Sequence, residues 1–116
     1  MTEIKKYLTE LPENKQQWLV ENFGNLDKFY VTVYLIIKNE HLTELEKPDR
    51  YEERLQVIKQ VKKKLECILD GIGLNGEDVV ADIASDYFED YVQYKESYCP
   101  ITNEEFVANI RKITNM

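Results

Sequence analysis

The chain is poor in the residues that carry covalent or metal chemistry. Its 116 residues include one histidine, His41, and two cysteines, Cys67 and Cys99. One histidine excludes a His-rich metal site and any two-histidine acid–base pair. Two cysteines are too few for a disulfide scaffold. The longest apolar run, residues 29–37 with Thr32 counted, is far shorter than the ~20 residues a membrane-spanning helix needs. No apolar h-region and no small-residue cleavage site appear near Met1, so no secretory signal is expected. The expected location is the cytoplasm, with both thiols free. Basic charge is scarce as well: Lys and Arg number 15 against 22 Asp and Glu, for a net charge of -7. Direct nucleic-acid binders normally carry a basic footprint, so this balance argues against one.

What is present suits a folded domain. Hydrophobic residues make up 43% of the chain, enough for a core, and the 32% that are charged are mixed in sign. No repeat or low-complexity linker divides it, so residues 1–116 are expected to form a single domain. Pro12, Gly24, Pro48, the cluster Gly71, Gly73 and Gly76, and Pro100 punctuate the chain at helical lengths.

Periodicity predicts an all-α fold of five or six helices. Ile4, Leu8 and Leu11 form one stripe of a short first helix. Pro12 opens a second, with Trp18, Leu19 and Phe23 on its apolar side and Gly24 as its cap. Residues 26–39 are ambiguous. Val31, Thr32, Val33, Ile36 and Ile37 favour a strand, which would make the fold α+β. Yet Leu26, Phe29, Tyr30, Val33, Tyr34 and Ile37 recur at helical spacing behind the potential N-cap Asn25. A central helix buried on nearly every side is the expectation. Asp49 and Glu52 are spaced as a capping box for a helix over 49–70, with Gly71 as its stop. A fifth helix starts near Glu77, where two acidic residues suit the positive end of the helix dipole. Thr102 and Glu105 cap a last helix.

The charge is unevenly placed. Residues 1–69 hold 12 acidic and 12 basic side chains. Residues 70–105 hold ten acidic side chains and one basic, Lys95. Within that stretch Asp78, Asp82, Asp86 and Asp90 recur every fourth residue, with Glu89 beside them. On a helix they form a slowly drifting stripe, opposite a side carrying Val79, Val80, Ile83, Tyr87, Tyr91, Tyr94 and Tyr98. Like charges at this spacing destabilise a helix, together on the order of 1 kcal/mol here. Such a stripe fits a carboxylate surface for a basic partner, with the tyrosines as anchors. The alternative is a solvated face with the tyrosines in the core.

Other patterns carry less. Gly71-Ile72-Gly73-Leu74-Asn75-Gly76 matches G-x-G-x-x-G, but a helix precedes it and Glu77 and Asp78 would repel a pyrophosphate. A turn between helices is expected. An EF-hand starting at Asp70 would place Ile72 and Leu74 at ligand positions. One acidic stripe offers a metal only side-by-side ligands, so neither metal nor cofactor is expected. His41 is expected in a polar loop, and no nucleophile has a base near it in sequence, so an enzyme is not expected. The Lys62-Lys63-Lys64 run is interrupted by Glu52, Glu53 and Glu66, and is expected to offset the acidic helix from within.

The profile resembles in style the small acidic immunity and inhibitor proteins that shield a host from a basic toxin. The likeness shares no motif, so it transfers no residue. The leading expectation is a protein that occludes a toxin or nuclease domain through Asp78, Asp82, Asp86, Glu89 and Asp90, flanked by Tyr87, Tyr91, Tyr94 and Tyr98. The alternatives are a phage-type anti-defence protein that mimics nucleic acid, and a regulatory or assembly subunit with its contacts elsewhere.

Overall fold

The ambiguous segment, 29–37, is helical. It forms the middle of a helix that runs from Leu26 to Glu46, seven residues beyond the expected end. The computed structural model describes residues 6–95 and 101–116. Among these the order is α1 (Lys6–Thr9), α2 (Glu13–Phe23), α3 (Leu26–Glu46), α4 (Tyr51–Gly71), α5 (Gly76–Gln93) and α6 (Asn103–Asn115), with no strand. The all-α expectation holds. Ile4 lies outside the described residues.

Helix α3 explains the arrangement. Val31, Thr32, Val33, Tyr34, Ile36 and Ile37 are all buried, so no side of this stretch is left for water. Such a helix must be covered on every side, and α2, α4, α5 and α6 all pack on it. Burial therefore overrides the β-propensity of its branched residues. Asn25 caps it as its side chain predicts, accepting a hydrogen bond from the Lys28 N–H at 2.7 Å. The ion pairs Lys62–Glu40 (2.8 Å) and Lys59–Glu44 (3.7 Å) show that α3 and α4 run antiparallel. These lysines were expected to offset the acidic fifth helix; they reach α3 instead.

Two of the buried polar side chains, Thr32 and Asn109, meet in this core. Asn109 donates to the Thr32 hydroxyl at 2.9 Å, and that hydroxyl donates to the Lys28 carbonyl at 2.7 Å. One turn earlier on both helices, Lys28 pairs with Glu105 at 2.6 Å. The two contacts set α6 alongside α3 in the same direction.

The predicted caps hold in part. Thr102 and Glu105 form the full capping box of α6. Asp49 and Glu52 form none. Arg50, left-handed at φ 60, occupies the N-cap of α4 and offers no acceptor, because a turn closed by the Tyr51 N–H on the Pro48 carbonyl displaces Asp49. Helix α4 does end at Gly71 as expected, with the glycine as its last helical residue. The chain reverses at Gly73, φ 85. There the Leu74 N–H bonds the Leu69 carbonyl and the Gly73 N–H bonds the Asp70 carbonyl, the Schellman pattern.

The last glycine of the G-x-G-x-x-G match has a different task. Gly76 opens α5 where it crosses α4, and a Cβ there would lie 2.7 Å from the Glu66 Cα and closer still to its carbonyl oxygen. The motif is a turn between two closely packed helices.

Two outcomes follow. Gly76→Ala forces the α4–α5 crossing apart and should destabilise the fold by about 1–3 kcal/mol in urea denaturation. Gly71→Ala, with open space around its Cβ, should not. The second outcome concerns acid. The Lys28 ammonium, then the Thr102 backbone, hold the Glu105 carboxyl below its ordinary value of 4.5. A depressed carboxylate stabilises the fold above its unfolded pKa, and that contribution is lost as pH falls through the folded value. Melting temperatures of the native chain and Glu105→Gln should therefore differ at neutral pH and converge as pH drops below about 4.5.

Candidate functional site

Helix α5 starts as its sequence dictates. Asn75 accepts from the Asp78 N–H at 3.1 Å, and Glu77 and Asp78 occupy the first turn. Its carboxylates then divide by angle. Four residues advance a helix by 400°, so the Asp stripe drifts about 40° per step and about 120° from Asp78 to Asp90. That drift carries the stripe from solvent into the core. Asp78 and Asp82 are exposed, Asp86 is half-buried, and Asp90 is only 5% exposed. The expected single carboxylate face is thus two groups of different character.

The inner group is structural. Tyr34 donates to Asp90 at 2.8 Å, and Tyr30 donates to Asp86 at 3.1 Å. These two pairs, each one turn apart, bind α3 to α5 in parallel register. Sequence reasoning placed both aspartates at a partner interface and missed the α3 tyrosines that hold them. The available signal was the matching spacing of Tyr30 with Tyr34 and Asp86 with Asp90.

The outer group comprises Asp78, Asp82 and Glu89, all exposed. At 100° per residue they fall within an arc of about 40°. Among the described residues, no lysine or arginine lies within ion-pair distance of any of them. Gln93 donates weakly to Glu89 at 3.4 Å.

The tyrosines divide too. Tyr87, expected as an anchor, is buried. Its ring packs edge-on against Tyr34, with centroids 5.5 Å apart, and its hydroxyl meets His41 Nδ1 at 2.8 Å. Burial pushes the Tyr87 hydroxyl above the usual phenol range; Lys38 opposes that shift and Tyr91 adds to it. His41 is not in a polar loop. It sits half-buried on α3, packed edge-to-face against Phe88 (5.1 Å) and Tyr91 (4.8 Å). The extra two turns of α3 bring it there.

Phe88, Tyr91 and Val92 remain exposed along the last two turns of α5, and Tyr94 at its C-cap; Phe88 and Val92 flank Glu89, while Tyr91 and Tyr94 turn toward α3. Tyr94 is 96% exposed and takes the left-handed cap position at φ 56, where glycine is the usual occupant. An aromatic ring held at such a site costs roughly 1–2 kcal/mol of backbone strain. Tyr98 lies outside the described residues. Cys67 is exposed as a free thiol. Among the described residues no group of three or more acidic, histidine or cysteine side chains is placed to hold a metal ion. Among the same residues no helix is long and apolar enough to cross a membrane.

The division of the stripe has a stability signature. Asp90→Ala removes the buried hydrogen bond that the Tyr34 hydroxyl donates across α3 and α5 and should cost about 1–3 kcal/mol in chemical denaturation. Asp82→Ala, at an exposed position with a like charge one turn away, should be neutral or slightly stabilising. Comparison with protein-family models, curated proteins and solved structures finds no match to this chain.

Proposed function

We propose that this chain is a binding protein of the immunity or inhibitor type, which occludes a cationic toxin or nuclease domain with the outer face of α5. The observation that supports it is the adjacency of two features on one helix. Asp78, Asp82 and Glu89 are exposed with no lysine or arginine in ion-pair distance among the described residues, and Val92 and Phe88 lie exposed on the adjoining side of the same helix. A solvated face would need neither these apolar side chains nor the like-charge crowding. Carboxylates in such an array steer a basic partner over long range and raise its association rate. An aromatic ring at the rim then supplies contact area at low entropic cost. In the docked state the carboxylates occupy the cleft where substrate phosphates would bind. Occlusion of this kind needs no catalytic group and no cofactor.

The site is smaller than the sequence implies. Asp86 and Asp90 support it from behind through Tyr30 and Tyr34, and Tyr87 ties it to His41. The contacting residues are Asp78, Asp82, Glu89, Phe88 and Val92, while Tyr91 and Tyr94 line a separate cleft with Tyr34 and Lys38.

The test is affinity capture from the native host with mass spectrometry, run in parallel on the native chain and on Asp78→Lys/Asp82→Lys/Glu89→Lys. The expected outcome is a basic protein retained by the native chain, released by salt, and bound at least about tenfold more slowly by the variant. All three positions are exposed, so the variant should keep its helical circular dichroism. A partner held equally by both forms, insensitive to salt, would place the interface elsewhere and favour a regulatory or assembly role.

A further inference from the structure

A second surface lies on the far side of the molecule. Between α3, α4 and α6 runs an open groove of about 560 Å³. Because α3 and α4 are antiparallel, its lining is ordered along its length. Ile36 and Val61 meet Phe106 and Ile110 at one end, while Asn39, Thr43, Glu53 and Arg54 gather at the other. Val57 stands on the α4 lip between them, 60% exposed. No residue of α5 lines this groove. Glu66, where α5 crosses α4, is nine residues from Val57, which is half a turn away around the helix. The groove and the acidic face therefore look in opposite directions.

We infer that a second copy of this chain covers this groove, the Val57 lip of each copy seating in the groove of the other about a twofold axis. An isologous contact must be complementary to itself. Glu53 and Arg54 meet that condition: they are adjacent, opposite in sign and at the same mouth, and neither pairs with another described residue. A twofold sets Arg54 of one copy against Glu53 of the other, twice. The arrangement also resolves an electrostatic difficulty. Two copies of net charge -7 repel, but contact through the groove keeps both acidic α5 faces outward and apart. Both partner-binding faces remain open in the dimer.

Sedimentation equilibrium or light scattering over a wide concentration range tests this with the full chain. The native protein should show a monomer–dimer equilibrium, and Val57→Glu should be monomeric with unchanged helical circular dichroism. Arg54→Glu should weaken dimerisation roughly tenfold, the scale of two exposed ion pairs lost together. Glu53→Arg/Arg54→Glu should restore it, because it exchanges the charges at the mouth and returns the net charge to that of the native chain. The control Glu52→Arg/Arg54→Glu carries the same net charge but leaves the mouth unpaired, and should stay weak. A native chain that is monomeric throughout overturns the inference. So does a dimer indifferent to Val57→Glu, or one that both double variants restore equally.

Discussion

The fold depends on covering α3. Nine of its residues are buried, and they lie around the whole helix in its first three turns. A helix of that kind has no stable existence in water alone, and its burial is the main favourable term available to the chain. The other helices are placed by the sides of α3 that they cover. Where their covering surface is polar, the contacts are specific: Asn109 on Thr32, Asp90 on Tyr34, Asp86 on Tyr30. Each buried polar group constrains rotation and register, because any other arrangement leaves a donor or acceptor unpaired. Apolar burial thus sets the order of packing, and a few hydrogen bonds set its angle.

This dependence shapes the outer surface as well. Two of the aspartates in the α5 stripe are consumed in holding α5 to α3, and the remaining carboxylates are fixed in orientation as a result. The aromatic residues follow the same division. Tyr87 fills the space between α3 and α5 and meets His41, so Phe88 and Tyr91, on the adjoining side of the helix, are left exposed. A rigid interior and a presented exterior come from one helix because its carboxylate period of four does not match the helical repeat.

Much of the fold was legible in the chain itself. The Asn25 cap, the Thr102–Glu105 box, the acidic first turn of α5 and the helical period of residues 26–37 are local features, and each has a local cause. What escaped sequence reasoning was mostly nonlocal. The exception is local: the turn from Pro48 to Tyr51 takes over the start of α4 from Asp49. Nothing near Gly76 shows that the Glu66 backbone will press against it. His41 is polar and solitary in sequence, and becomes part of an aromatic cluster only because α3 continues past Asn39.

The sequence by itself determined that the chain is all-α, that its acidic excess falls in residues 70–105, and that one helix would carry most of that charge beside aromatic rings. These follow from periodicity, capping and composition, which act between residues a few positions apart. Only the tertiary structure decided which carboxylates face water. A drift of about 40° per step is continuous along the helix. Whether Asp86 and Asp90 end in solvent or against Tyr30 and Tyr34 depends on where α3 lies, and α3 is placed by contacts from four other helices.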